Sequence, residues 1–244
     1  MRNIRLTLEY VGTRYHGWQI QENAITIQQI LEEKLNLILN KKSRVVGAGR
    51  TDAGVHALGQ VAHFKTNNPL PVERIFKGMN SMLPEDIAVL KMEETNLSFH
   101  SRKDAKKKEY FYQIWNGARP SPFLSAFVIH IPTKLNIEAM RRAASFFQGK
   151  HDFHSFCPAN TTIKDKVRHV FHSGIEEVEE MIRYRIIADG FLHHMVRTIV
   201  GTIINVGKEK IPVEKINDIF QGKDRKLAGF VAPAKGLFLK KVYY

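Results

Sequence analysis

Short segments in which apolar and polar residues alternate recur along the whole chain, and apolar stripes with helical spacing lie between them. The first segment, RNIRLTLEYVG, places Ile4, Leu6 and Leu8 on one face, as a half-buried β-strand does. Further strands are predicted in LGQVAHFKT, IAVLKMEE, KEYFYQIWN, RHVFHSGIEE, RYRIIADG and GLFLKKVYY. Because strands and helices interleave in both halves, we predict an α+β chain of two similar units that share one largely antiparallel sheet.

Helices are predicted between these strands. The first begins at Thr26, which forms a capping box with Gln29 and precedes an apolar stripe that ends near Asn40. Others are predicted in PVERIFKGMNSML, near residues 136–148, over 191–206 and near 213–221. A groove between the two units would be a natural binding site for a ligand.

The charge of the chain gives the first indication of function. The sequence has 37 Lys and Arg against 24 Asp and Glu, which is a formal net charge of +13. Such an excess attracts polyanions, and nucleic acid is the partner that it favours. A basic surface that only aids solubility and an anionic membrane are the competing interpretations.

Cysteine content and hydropathy indicate the compartment. Cys157 is the single cysteine, so the chain has neither an internal disulfide nor a CxxC pair for zinc, and we interpret it as a small buried residue. No apolar run approaches the roughly 18 residues of a membrane-spanning helix, and the N-terminus lacks the apolar core of a signal peptide. We therefore expect a cytoplasmic protein without a membrane partner.

The stretch GAGRTDAG surrounds one carboxylate, Asp52, with glycines. Glycine lets a backbone turn sharply and lets a large ligand approach closely. The stretch matches neither a phosphate-binding loop nor a dinucleotide-binding loop. Asp52 could simply cap its own turn. Alternatively, Arg50, two residues away, could help to keep it ionised as a nucleophile or base.

Two further stretches carry candidate binding residues. In SRKDAKKKEYFYQIW, cations precede a strand of alternating aromatics, which suits either phosphate binding and base stacking or a solvated turn before a core strand. Either face of that strand, the Tyr110 side or the Phe111 side, could be core. The cations of this stretch that we predict to bind substrate are Arg102, Lys106, Lys107 and Lys108.

The stretch DGFLHHMVRTIVG is predicted to place His193, His194 and Arg197 on one helix. Adjacent histidines point to different sides of a helix, and no HExxH spacing occurs, so a zinc site is not expected. His193 and Arg197 are four residues apart and would share a helix face. Arg197 could then point a cation into a cleft, or it could form a structural ion pair at the surface.

Four stretches, in this order, resemble the successive motifs of the tRNA pseudouridine synthase A (TruA) family: GAGRTDAGVHALGQVAHF, SRKDAKKKEYFYQIWN, DGFLHHMVRTIVGTIINVG and APAKGLFL. The resemblance spans nearly the whole chain. It implies the pseudouridine synthase fold, in which two related α/β halves, here residues 1–104 and 105–244, share a mixed, largely antiparallel sheet with helices outside and a central catalytic cleft. It also implies isomerisation of uridine to pseudouridine at positions 38, 39 and 40 of the tRNA anticodon arm, by a homodimer without metal or organic cofactor.

The same resemblance assigns roles to four residues. Asp52 takes the place of the essential catalytic aspartate, and Arg197 that of the basic residue that pairs with it. Tyr110 takes the place of the tyrosine that stacks on the target base, and Arg50 that of the arginine that helps to extrude the base. The basic run before Tyr110 is rich in lysine where relatives often carry arginine, so phosphate attraction is kept and bidentate geometry is lost.

Alternatives of another class stay open at this stage. A non-catalytic RNA-binding protein would share the charge and the aromatics, but it would have no need for Asp52 beside Arg50. A metal-dependent nuclease would have to use Asp52 together with histidines. The chemical route is also open, because one carboxylate can attack C1′, attack C6 of the ring or remove the C2′ proton.

Overall fold

The structure is a computed structural model that describes residues 1–244. The ten strands are β1 Arg2–Tyr10, β2 Val46–Gly47, β3 His56–Thr66, β4 Ile87–Thr95, β5 Lys107–Trp115, β6 Ile129–His130, β7 Gly149–Asp152, β8 Val167–Val178, β9 Met181–Ala188 and β10 Leu237–Tyr243. The five α-helices are α1 Ile27–Leu39, α2 Val72–Met82, α3 Ile137–Ser145, α4 Met195–Gly207 and α5 Lys215–Gly222. No helix is both long enough and apolar enough to cross a membrane.

Contacts divide the chain into two units. Unit 1 holds residues 1–106 and 238–244, and unit 2 holds residues 107–237. Each unit combines helices with a mainly antiparallel sheet, which confirms the predicted α+β class. The shared sheet and the central cleft, which concern the two units together, stay predictions.

The sheet of unit 1 is built around its first strand. β1 lies between β3 and β4 and is antiparallel to both, whereas β10 pairs with β3 in parallel. Ile4, Leu6 and Leu8 are buried, so the predicted apolar face of β1 is confirmed. Through β10, unit 1 includes the last strand of the chain, which the sequence-based division places in the second half.

The first helix of unit 1 follows its sequence signals closely. Thr26 accepts a hydrogen bond from the backbone N–H of Gln29, and Asn40 ends the helix in the left-handed conformation with φ of 47°. α1 packs against α2, and α2 packs against β4. The apolar faces of both helices are buried, with Leu31 and Leu35 of α1 and Ile75 and Met79 of α2 among their buried residues.

Unit 2 has the strand order β5, β9, β8 and β7, all antiparallel, with β6 added in parallel beside β5. In the β5–β9 register, Tyr112 lies opposite Tyr184, and both side chains are fully buried. α3 packs against α4 and β8. The predicted burial of Cys157 is confirmed.

Two predicted elements of unit 2 differ in their bounds. The helix predicted over 191–206 begins at Met195, because His194 before it has a left-handed backbone with φ of 59°. The helix predicted over 136–148 ends at Ser145, and Gly149 opens β7. The stretch HDFHSFCP, residues 151–158, contains the end of β7 and a short 3-10 turn over His154–Phe156.

Candidate active site

Asp52 lies in the turn that leads from β2 into β3, and its side chain is half-buried. The residue before it, Thr51, is buried and held at two atoms. Its carbonyl accepts a hydrogen bond from the backbone N–H of Trp18 at 3.0 Å, and its hydroxyl lies 2.9 Å from the buried hydroxyl of Tyr10. Burial raises the pKa of Tyr10 to about 12, so this hydroxyl stays protonated at neutral pH.

The other side of the turn is also fixed by main-chain hydrogen bonds. The N–H of Val55 donates to the carbonyl of Asp52 at 3.1 Å, and the N–H of Gly54 donates to the carbonyl of Tyr15 at 3.2 Å. Gly54 has φ of 77°, a conformation that glycine adopts without steric cost. The backbone around Asp52 is therefore held on both sides, so the turn that carries its carboxylate is preorganised.

The loop between β1 and α1 packs against this turn. A Cβ on Gly17 would lie 2.5 Å from the carbonyl oxygen of Thr51, so the two backbones pack directly against each other there. Gly17 itself has φ of 83°, in the left-handed region. The sequence of this loop is rich in aromatic and amide groups, but it does not indicate that the loop contacts the turn that carries Asp52.

His56, four residues after Asp52, has structural contacts. It is buried at the start of β3, where its Nδ1 accepts a hydrogen bond from the N–H of Gly12 at 3.1 Å. Its ring stacks on Phe238 of β10 with a centroid distance of 4.7 Å. These contacts tie the end of the turn to the sheet of unit 1.

Most of the cationic residues that were predicted to bind substrate are exposed to solvent. Arg50, Arg102, Lys106 and Lys107 are exposed, and Lys108 is half-buried. The ammonium group of Lys107 lies 4.1 Å from the ring centroid of Phe171, within reach of a cation–π interaction. Exposed cations of this kind can meet phosphate groups without first breaking a buried contact.

Tyr110 lies on β5 of unit 2, and only 7% of its surface is exposed. Its ring meets Phe191 edge to face, with centroids 5.0 Å apart. On the same face of the strand, Tyr112 and Ile114 are fully buried, whereas Gln113 and Trp115 on the opposite face are half-buried. The Tyr110 side of β5 is thus the more deeply buried side.

Arg197 lies in the first turn of α4 and is half-buried. Its Nε donates a hydrogen bond to the carbonyl of Ala232 at 2.7 Å. The N–H of Ala232 in turn donates to the carbonyl of Arg197 at 3.1 Å. The guanidinium group is therefore anchored at Nε, which restrains its orientation.

The predicted helical relation between His193 and Arg197 is wrong. α4 begins at Met195, and the left-handed backbone of His194 places both histidines before the helix. Their rings are adjacent, with centroids 3.8 Å apart, so the argument that they point to different sides of a helix also fails. The expected absence of a bound metal stays a prediction.

The structure thus places Asp52 and Arg50 in unit 1, and Tyr110 and Arg197 in unit 2. The pairing of Asp52 with Arg197 stays a prediction. Sequence reasoning missed the groups that hold these side chains in place. Such supports are distant in the chain and carry no local signal; they are Tyr10, Trp18, Thr51 and Ala232.

A protein family model described as tRNA pseudouridine synthase matches residues 7–103 and 143–244. The matched stretches include Asp52, Arg50 and Arg197, whereas Tyr110 lies in the interval between them. The protein named tRNA pseudouridine synthase A from Acetivibrio thermocellus is 45% identical over 244 residues, which covers 100% of both chains.

Two more relatives with the same name give the same result. The protein from Geotalea daltonii is 45% identical and that from Thermoanaerobacter sp. is 44% identical, and each match covers 100% of both chains. Because these matches cover the whole chain, they include every motif described above. This chain therefore belongs to the tRNA pseudouridine synthase family.

Proposed function

We propose that this chain converts uridine to pseudouridine at positions 38, 39 and 40 of the tRNA anticodon arm, with Asp52 as the nucleophile or base. The observation that carries the proposal is the turn around Asp52. Asp52 is half-buried, and the main chain on both sides of it is fixed, by Thr51 and by Gly54. A preorganised group of this kind reacts without first being ordered.

The overall reaction rearranges one nucleotide. The bond between N1 and C1′ breaks, a bond between C5 and C1′ forms, C5 loses its proton and N1 gains one. Because no electrons are transferred to another molecule, the isomerisation itself requires no redox cofactor. The carboxylate of Asp52 can act by attack at C1′, by attack at C6 or by removal of the C2′ proton. All three routes start from the ionised carboxylate.

Arg197 and Tyr110 complete the proposed site. We assign Arg197 to the ion pair that keeps Asp52 ionised, and its anchored Nε supports this role because an oriented guanidinium group presents its remaining donors in a fixed plane. We assign Tyr110 to the face on which the target base stacks. Its ring is held edge to face by Phe191, so it offers a rigid surface.

The target base must leave its stack before any of these groups can reach it, which costs a few kcal/mol. We assign Arg50, which is exposed beside the Asp52 turn, to this extrusion step. The exposed cations Arg102, Lys106 and Lys107, together with Lys108, would hold the tRNA backbone. Phosphate contacts of this kind position a nucleic acid without reading its sequence.

The proposal includes a homodimer in the cytoplasm. The single buried cysteine is compatible with a reducing compartment. Sedimentation of the purified protein with and without tRNA measures the oligomeric state. A protein that stays monomeric at micromolar concentration in both conditions would remove the dimer from the proposal.

The reaction is tested by tritium release from tRNA that carries C5-labelled uridine. The Asp52→Asn variant should release no tritium above background and should bind tRNA with nearly wild-type affinity. The matched control is Asp218→Asn, which removes the same charge from an exposed ion pair with Lys215. Substantial turnover by Asp52→Asn would contradict the role of Asp52. A wild-type protein that binds tRNA and releases no tritium would instead be a non-catalytic RNA-binding protein.

The target positions are tested separately. Transcripts with a single uridine at position 38, 39 or 40 should each be modified. A fourth transcript without uridine at these three positions, but with uridine elsewhere, should not react. Modification of the fourth transcript at the same rate would contradict the proposed positions and leave the isomerase activity in place.

A further inference from the structure

In unit 2, the segment of residues 229–233 runs beside α4 at close range. The N–H of Gly229 donates a hydrogen bond to Oγ1 of Thr202 at 2.9 Å. A Cβ on Gly201 would collide with the carbonyl oxygen of Phe230, so at this point the helix and the segment are in backbone contact. The 229–233 segment is therefore fixed to α4 upstream of the residue that binds Arg197.

The contact between Arg197 and Ala232 continues this attachment. Each residue donates one hydrogen bond to the carbonyl of the other, from Nε of Arg197 at 2.7 Å and from the N–H of Ala232 at 3.1 Å. The carbonyl of Ala232 therefore restrains the orientation of the guanidinium group. A displacement of that carbonyl would break this hydrogen bond or change the orientation of the guanidinium group.

The next residue, Pro233, is held by a side chain from the sheet. The hydroxyl of Tyr112 on β5 donates to the carbonyl of Pro233 at 2.8 Å. Proline has no N–H, so this carbonyl is the one main-chain hydrogen-bonding group that Pro233 has. The ring of Tyr112 is itself held in place, since a Cβ on Gly236 would lie 2.5 Å from its Cζ atom.

We propose that Tyr112 is a positioning residue for Arg197, which holds the 229–233 segment so that the carbonyl of Ala232 orients the guanidinium group. The inference rests on the role assigned to Arg197 under the proposed function. Tyr112 acts through the segment and does not touch the substrate. The fixed guanidinium group then meets the carboxylate in one geometry, which raises the rate of the chemical step and leaves tRNA affinity unchanged.

The protonation state of Tyr112 agrees with this role. Burial raises the pKa of its hydroxyl above the ordinary value, and the charge of Arg197 opposes that shift to a smaller extent. The hydroxyl therefore keeps its proton at neutral pH. A protonated hydroxyl is required, because the carbonyl of Pro233 can only accept a hydrogen bond.

The test compares Tyr112→Phe with Tyr184→Phe. Tyr184 is a matched control because it is fully buried, lies opposite Tyr112 in the β5–β9 register, and donates one hydrogen bond, to Oγ of Ser173 at 2.8 Å. Both variants lose one buried hydroxyl. Tyr112→Phe should lower kcat roughly tenfold at saturating tRNA and change KM less than about twofold. Tyr184→Phe should keep both constants within about twofold of the wild type.

Amide hydrogen exchange supplies a readout that does not depend on activity. Peptides that cover residues 229–236 should exchange faster in Tyr112→Phe than in the wild type, and at the wild-type rate in Tyr184→Phe. If Tyr112→Phe does not fold, Gly236→Ala replaces it, because its Cβ pushes the Tyr112 ring and should produce the same loss of kcat.

Two results would overturn the inference. The first is that residues 229–236 exchange at the wild-type rate in Tyr112→Phe. The second is that the kcat of Tyr112→Phe equals that of Tyr184→Phe. A wild-type enzyme that releases no tritium would instead contradict the proposed function. The exchange comparison would still decide whether Tyr112 holds the segment.

Discussion

The hydroxyl of Tyr10 lies 2.9 Å from the hydroxyl of Thr51, both residues are buried, and Thr51 directly precedes Asp52. Tyr10 of β1 and Thr51 are 41 residues apart in the sequence, so this contact fixes the turn that carries the candidate catalytic carboxylate to a distant strand. The second attachment of Thr51, its carbonyl to the N–H of Trp18, comes from a different loop. The position of Asp52 therefore depends on neighbours that are not themselves reactive.

Thr51→Val should impair catalysis and stability together, because valine has the shape of threonine and cannot form the hydrogen bond to Tyr10. Loss of one buried hydrogen bond should lower the free energy of unfolding by about 1–2 kcal/mol. Loosening of the Asp52 turn should lower kcat. Urea denaturation and tritium release measure the two effects. Thr51→Ser, which keeps the hydroxyl, should stay close to the wild type, and equal losses in the two variants would contradict this role of the hydroxyl.

The sequence predicted the elements whose signals are local. The apolar stripe of α1 is bounded by Thr26 and Asn40, and both ends appear where those residue types place them. Strands of seven or more residues were also found, because alternation is readable over that length. β2 and β6 have two residues each, so no period can be recognised in them.

The site could be predicted only in part. Asp52 stood out because glycines and an arginine surround it, and the family resemblance then connected it with Tyr110 and Arg197. The contact from Arg197 to Ala232 spans 35 residues and joins a side chain to a carbonyl, which any residue type could supply. The start of α4 was missed because the left-handed backbone of His194 is imposed by the fold and not by a glycine.

Tyr110→Phe should keep base stacking and slow product formation. The aromatic ring and its contact with Phe191 remain, whereas the hydroxyl that could assist proton transfer is removed. We expect tRNA affinity within about twofold of the wild type and a single-turnover rate lower by about tenfold or more. Tyr110→Ala, which removes the stacking ring, should lower both the tRNA affinity and the single-turnover rate. A wild-type rate for Tyr110→Phe would show that the hydroxyl has no chemical role.

Replacing Arg102 and Lys106 together by glutamine should weaken tRNA binding and make it less sensitive to salt. Both side chains are exposed, so their contribution is attraction to phosphate. The slope of log K against log salt concentration should become shallower by about 1 for each phosphate group that the variant no longer neutralises. The control replaces Lys208 and Lys210, which are exposed after α4 and carry the same charge. An equal change of slope in both double variants would indicate a general effect of net charge.

Acid should destabilise unit 1 through His63. This side chain is buried on β3, where its Nδ1 accepts a hydrogen bond from the N–H of Ser101 at 3.2 Å. Burial lowers its pKa to about 4, and the nearby His100 and Lys65 act in the same direction. An exposed histidine in the unfolded chain titrates near pH 6.5. Between pH 6.5 and 4 the unfolded chain therefore binds a proton that the folded chain does not.

The free energy of unfolding should consequently fall as the pH decreases from 6.5 to 4, whereas above pH 6.5 His63 should contribute no slope. His63→Asn tests this, because Oδ1 of asparagine can replace Nδ1 as the acceptor for Ser101 and does not titrate. Urea denaturation at several pH values should give a shallower acid slope for the variant than for the wild type. Equal slopes in the two proteins would contradict this role of His63. The proton taken up on unfolding would then bind to other groups.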